Sequence, residues 1–168
     1  MAYSFKQYDK ERMARSSGRA ISISTKQSIE VCSRIRGKSL RVAKRLLDDA
    51  ASLKKPITFT RFTGDHGHKK KQGPARYAKK TCQEMMKLLE SAESNAQFKG
   101  LNTKGLVVAY IKADKAGNSW HYGRKRRRAM KRTNIELVLE EKKAPEKEKK
   151  KQDASKTKAE NKPKKGAQ

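Results

Sequence analysis

LVVAYIKADKAGNSWHYGRKRRRAMKRTNIELVLEE, residues 106–141, is the stretch that decides the fold. Two apolar, β-branched runs, Leu106–Ile111 and Ile135–Leu139, bracket a segment of another character. From Lys112 to Arg132 there are nine lysines and arginines against one acid, and the chain's only tryptophan, Trp120. Alternation predicts two strands. Leu106, Val108 and Tyr110 share one face of the first, with Val107, Ala109 and Ile111 on the other. Ile135, Leu137 and Leu139 face one way in the second, opposite Glu136 and Val138. Pairing Ile111 with Ile135 puts the midpoint at Gly123, a residue that tolerates a tight turn. The basic run therefore reads as the outer half of a long hairpin, held at both ends and unlike a free tail.

Upstream, residues 1–19 are polar and basic and read as an extended arm. Ala20–Ser24 alternates through Ile21 and Ile23, which suits a short strand. Thr25–Arg36 places Ile29, Cys32 and Ile35 at helical spacing, with Ser24 or Thr25 as cap and Gly37 after a basic last turn. A second helix is predicted over Ser39–Leu53, its stripe being Leu40, Ala43, Leu46, Leu47, Ala50 and Leu53. Ile57–Phe62 alternates weakly, and Thr63–Gly73 reads as loop. Pro74 suits the first turn of a third helix reaching Phe98, with Ala78, Cys82, Met85, Leu88, Leu89, Ala92 and Ala96 inward and Gly100 closing it. Lys142–Gln168 holds eleven lysines, four acids and, prolines aside, no apolar residue larger than alanine, so it is expected to be disordered. The organisation is thus a basic arm (1–19), one globular domain (20–141) with its hairpin at about 106–141, and a lysine-rich tail (142–168).

The formal net charge is +27 over 168 residues, with a sequence pI near 10.3. A cation of this size calls for a polyanion, and nucleic acid is the first candidate because each neutralised phosphate releases condensed counterions. An anionic membrane is the weaker candidate: no apolar run approaches the ~18–20 residues of a spanning helix, and the start of the chain has no signal-peptide core. Cys32 and Cys82 lie fifty residues apart in helical segments and read as buried free thiols of a reducing cytoplasm.

Arg124, Lys125, Arg126, Arg127 and Arg128 form an unbroken cationic run, followed by Lys131 and Arg132 and preceded by Lys115. Guanidinium forks suit phosphate, and Trp120, His121 and Tyr122 supply rings or donors for unpaired bases and sugars. RNA is favoured over DNA because no groove-reading motif is present. On the body, Lys69, Lys70 and Lys71 with His66 and His68 form a second basic loop, and Arg19, Lys26, Arg36 and Lys38 complete the candidate contacts. His66 and His68 beside Asp65 invite a metal reading, but the chain has three histidines and no zinc-spaced cysteines, so no metal or cofactor is expected. His121 with Asp114 and Ser119 invites a nuclease reading. Proximity in sequence is not geometry, and no nucleophile elbow, phosphate loop or paired carboxylates accompany them, so no enzyme or small-molecule substrate is expected. A charge-driven architectural nucleic-acid-binding protein remains the alternative.

Three stretches carry a resemblance. GRAISISTKQSIEVCSRIRGKSL (residues 18–40), GHKKKQGPARYAKKTCQEMMKLLESAESNAQFKGLN (67–102) and KRTNIELVLEEK (131–142) resemble the universal large-subunit ribosomal protein twenty-two family in its archaeal and eukaryotic form. The resemblance spans about residues 18–141. It implies an α+β domain, with three helices packed on a three-stranded antiparallel sheet and a long projecting hairpin between basic tails. It also implies a structural protein of the cytoplasmic ribosome that binds large-subunit rRNA, assists assembly, abuts neighbouring ribosomal proteins and sends its hairpin toward the polypeptide exit tunnel. It further implies the nascent chain as a candidate partner at the hairpin tip. The connection between the hairpin strands is about four or five residues shorter than in typical relatives, and GRKRRRA (123–129) replaces a proline-containing tip. Two residues fewer per arm shorten the reach by roughly 7 Å. Gln27 stands where many relatives carry a basic residue.

Overall fold

In the computed structural model the described residues are 3–142, so the expected disorder of the lysine-rich tail lies outside them. The element order is β1 (Met13–Ile21), α1 (Thr25–Ile35), α2 (Leu40–Ala51), β2 (Ile57–Thr58), β3 (His68–Lys69), β4 (Gly73–Arg76), α3 (Lys79–Phe98), β5 (Leu106–Lys115) and β6 (Thr133–Glu141). The main sheet is antiparallel in the order β1-β6-β5. Three helices pack on one face of it, giving the expected α+β fold. A second small sheet, β2-β4-β3, was not foreseen.

Burial follows the helical stripes with particular exceptions. Val31, Cys32 and Ile35 of α1, Leu40, Ala43, Leu47 and Ala50 of α2, and Cys82, Met85, Leu89, Ala92 and Ala96 of α3 meet Val108, Ile111, Ile135, Leu137 and Leu139 in one core. Ile29, expected inside, is only partly buried, and Leu53 is exposed. Leu53 lies past the end of α2 with φ +64, so its side chain leaves the helical stripe.

The hairpin forms as expected but in a different register. Ile111 pairs with Leu137, and Ala113 with Ile135. A shift of two residues keeps every side chain on its own face, so the alternation could not detect it. In β5 the inward residues are Leu106, Val108, Ile111 and Ala113, and the parity changes where the register slips between Val108 and Tyr110. This bulge returns Tyr110 to the opposite face from Val108, correcting the strict alternation read from sequence. The inward set in β6 is as expected, and Val138 is also buried, on the far face.

Two further corrections concern the segments before and after the first two helices. The first strand is not Ala20–Ser24 but Met13–Ile21, mostly in the segment read as an arm. Its inward positions, Ala14, Ser16 and Gly18, are small because α3 runs close above them, and small residues give no hydrophobic signal. A Cβ on Gly18 would meet Leu88 Cδ2 at 3.2 Å and Ile21 Cδ1 at 2.3 Å. The segment before β1 packs on the far face of the sheet, where the Phe5 and Tyr110 rings lie 5.0 Å apart and Tyr3, Phe5 and Tyr8 surround Val138. Pro74 does not open α3. It sits in β4 opposite His68, and its carbonyl accepts the Phe59 N–H. Proline's fixed φ suits an extended residue as well as a helix start, and the burial of Ala75 and Ala78 selects the extended form.

Candidate nucleic-acid interface

The finger beyond Lys115 and Thr133 is ordered by its own backbone. Ala116 N–H donates to the Arg132 carbonyl at 3.1 Å, Met130 N–H to Ser119 at 2.7 Å and His121 N–H to Arg128 at 3.0 Å. Trp120 bridges Ala129. The turn is a short 3-10 segment, Gly123–Lys125, with positive φ at Gly123 and again at Arg127. Gly123 thus sits in the turn, one residue from the true midpoint because of the register shift. At its base the finger is riveted to the body: the buried Thr133 hydroxyl donates to the Ile23 carbonyl and meets the Thr25 hydroxyl at 2.9 Å.

Among the described residues no acid pairs with the finger's cations beyond Asp114. Among the described residues the ion pairs are Lys44–Glu93, Lys87–Glu84 and Lys112–Asp114, none of them beyond Asp114 in the hairpin. Arg124, Lys125, Arg126, Arg127 and Arg128 are all exposed, as are Lys115 and Lys131. Trp120 and Tyr122 are also exposed, Tyr122 to 89%, and His121 is half-buried. Five adjacent cations with neither a salt bridge nor a buried stem make a strong local positive field.

Arg132 differs from the rest. Its guanidinium donates to Ser119 Oγ at 3.3 Å and to the Ala20 carbonyl at 3.1 Å. Asn134 Oδ1 accepts the Ala20 N–H at 2.8 Å, so Arg132 and Asn134 together hold the bulge where Ala20 takes φ +48. Arg132 therefore ties the finger to β1.

On the body the tertiary structure gathers residues that are far apart in sequence. Lys26, His66 and Lys131 line one cavity of about 540 Å³ at the finger's base, together with Arg61 and Arg76, which the sequence reading missed. Lys26 and Arg61 both lie over the Phe62 ring, at 5.8 and 5.3 Å from its centroid. Asp65 is the cavity's one carboxylate. His66 packs edge-on against Phe59 at 4.6 Å. Lys38 and Lys71 come together elsewhere, with Arg34 and Lys55, on the rim of an apolar groove. Arg36 is exposed but donates to the Ile111 carbonyl at 2.9 Å, while Arg19, His68, Lys69 and Lys70 stand exposed.

Glu30 holds the segment that carries Arg61 and Phe62 into the first cavity. It lies buried on α1, and its carboxylate accepts the N–H groups of Thr60, Arg61 and Phe62 at 3.1, 2.7 and 2.9 Å, plus the Thr60 hydroxyl. Burial opposes its charge, but these donors outweigh that and hold the carboxyl below its ordinary 4.5. A helical glutamate beside an apolar stripe ordinarily faces solvent, so nothing local in the sequence signals this role. The two thiols are chemically quiet: burial pushes both Cys32 and Cys82 up to about 12, with Arg36 partly opposing this at Cys32.

Residues 16–139 match the family model for Ribosomal protein L22p/L17e. The chain is similar to the large ribosomal subunit protein uL22 of Archaeoglobus fulgidus, 33% identical over 146 residues that cover 82% of this chain and 94% of the relative. The protein of the same name from Methanocaldococcus jannaschii is 36% identical over 143 residues, 80% of this chain and 92% of the relative. That from Thermofilum pendens is 38% identical over 106 residues, 62% and 70% respectively.

Proposed function

Because the chain belongs to the Ribosomal protein L22p/L17e family, and so is a structural constituent of the large ribosomal subunit and not an enzyme, we propose that it binds large-subunit rRNA through the finger and the cation-lined cavity at its base. The observation that carries this reading is the exposed run Arg124–Arg128 on a backbone-ordered hairpin, with no acid paired to it among the described residues. Disorder in such a run would make ordering part of the binding cost; a preformed hairpin avoids it. In this division of labour Arg124–Arg128, Lys115 and Lys131 neutralise phosphates. Trp120 and Tyr122 stack on bases or sugars and His121 donates. Lys26, Arg61, Arg76 and His66 hold a phosphate at the base, while Arg19, Arg36, Lys38, His68 and Lys69–Lys71 contact further backbone.

The finger's two arms extend about seven or eight residues beyond the sheet, roughly 25 Å at strand spacing. That reach supports a second part of the proposal: the body stays at the subunit's surface beside neighbouring proteins, and the tip passes inward between rRNA segments toward the polypeptide exit tunnel, where it comes near nascent chains. During assembly the same finger would hold those segments together.

Two measurements test this. In a sucrose gradient at moderate salt the protein is expected with large subunits; recovery with bulk DNA instead would favour charge-driven architectural binding. Replacing Lys125, Arg126, Arg127 and Arg128 by alanine is expected to weaken rRNA association and to flatten its log–log salt dependence by up to about 3.6, from ~0.7–0.9 per phosphate. An unchanged slope would remove the finger from the interface.

A further inference from the structure

At the end of the sheet opposite the finger, the structure assigns a second RNA site: a pocket that takes one unpaired nucleotide, its base stacked on Phe98 and its phosphates near Arg15 and Lys10. This inference rests on the rRNA-binding reading above.

The pocket lies where the start of β1 meets the C-terminus of α3. Met13 pairs with Glu140, whereas the finger leaves the sheet at Lys115 and Thr133. β6 spans these two ends with nine residues, roughly 27 Å. Asn95 Nδ2 donates to the Arg15 carbonyl at 2.9 Å and so joins α3 to the strand. The cavity is about 500 Å³, open to solvent, and Phe98, one of its lining residues, is 94% exposed.

Three aromatic rings and three cations line it, and among the described residues no carboxylate does. Arg15 lies between two tyrosines, its guanidinium carbon 4.7 Å from the Tyr3 centroid and 5.0 Å from that of Tyr8. Lys99 Nζ donates to the Tyr8 hydroxyl at 2.7 Å and to the carbonyls of Lys10 and Met13, which fixes the turn that carries Lys10. The nearby Asp9 accepts the Glu11 N–H at 3.0 Å within that turn. A rigid guanidinium held by aromatic faces keeps its edge N–H groups for an anion. The exposed phenyl ring of Phe98 in the same pocket offers a face on which a flat partner can stack.

A nucleotide satisfies both features at once. Base stacking on an exposed aromatic ring is sequence-tolerant and needs no hydrogen-bond readout, and the cations supply the phosphate attraction. An acidic peptide would satisfy the charges but has no general reason to place a flat ring on Phe98. With sites at both ends, one copy of the chain would bridge two rRNA segments.

Photocrosslinking of the full chain to protein-free large-subunit rRNA tests this, with the Phe98→Ala variant as the comparison. Phe98 is so exposed that its removal leaves the fold intact. The unaltered chain is expected to give nucleotide adducts on two separate peptides, one holding Tyr122 and one holding Phe98 or Tyr3. The variant is expected to lose the second adduct alone and to bind a single-stranded oligouridylate about 5- to 150-fold more weakly at that site. Its salt slope should not change, since stacking releases no counterion. Adducts on the finger peptide only, or an unaltered adduct pattern in the variant, would overturn this site and leave the finger reading standing. No adduct on either peptide would overturn both. Crosslinking of Lys10 or Lys99 to a neighbouring protein in intact subunits would assign the pocket to a protein partner instead.

Discussion

Replacing Glu30 by glutamine changes one atom, yet it should cost this domain a large share of its stability. One carboxylate oxygen accepts the Arg61 and Phe62 N–H groups, and the other accepts the Thr60 N–H and hydroxyl. An amide can point its oxygen at only one of these pairs. With the oxygen toward Arg61 and Phe62, the NH2 group faces the Thr60 N–H, donor against donor. The Thr60 hydroxyl can turn and accept, but the backbone bond is lost and the other two lose their charge assistance. Hydrogen bonds to charged groups contribute about 1.5–3 kcal/mol and neutral ones about 1. Thr60 and Arg61 are exposed, so water recovers part of the loss. The expected net destabilisation is about 2–4 kcal/mol, against the ~5–15 kcal/mol of a typical domain. The sign with pH follows from the depressed carboxyl. Above its ordinary 4.5 the carboxyl is ionised folded and unfolded, and the full stabilisation is present; it is lost as pH falls through the lower folded value. Urea unfolding of both proteins between pH 3.5 and 7 measures this, and hydrogen exchange at Thr60, Arg61 and Phe62 should quicken in the variant. A gap below about 0.5 kcal/mol at pH 7, or one that stays constant down to pH 3.5, would refute the reasoning.

Other outcomes follow from single contacts. Neither Cys32 nor Cys82 should react with a thiol reagent at pH 8 until the protein is unfolded, since burial shields both thiols and pushes them up to about 12. Labelling at the rate of free cysteine would contradict their burial. Gly18→Val should lower stability by about 1–3 kcal/mol in thermal or urea unfolding by overpacking β1 against Leu88 and Ile21, and Gly18→Ala by less. Arg132→Ala should destabilise by about 1–2 kcal/mol through the lost bonds to Ala20 and Ser119 while leaving the RNA salt slope nearly unchanged. A slope change of the size expected for a finger residue would return Arg132 to the phosphate contacts.

Local patterns carried much of what the sequence determined by itself. Strict alternation in Ile135–Leu139, helical stripes ending at Gly37 and Gly100, and a basic run between two strands were enough for three helices, the hairpin and the cationic finger. These are near-neighbour properties: whether residues two or four apart share a face is set by the backbone's own geometry. Tertiary structure alone decided the rest. A register shift of two and the bulge between Val108 and Tyr110 depend on what lies across the sheet. The first strand was hidden because closeness to α3 demands small residues at Ala14, Ser16 and Gly18. The same holds for the interface. Exposed finger cations were legible one by one, whereas the cavity joining Lys26, Arg61, Arg76 and Lys131, and the inward use of Glu30 and Arg132, exist only once distant segments meet. A charge shows in a sequence, but whether it faces solvent or a backbone donor is settled by packing between segments far apart in the chain.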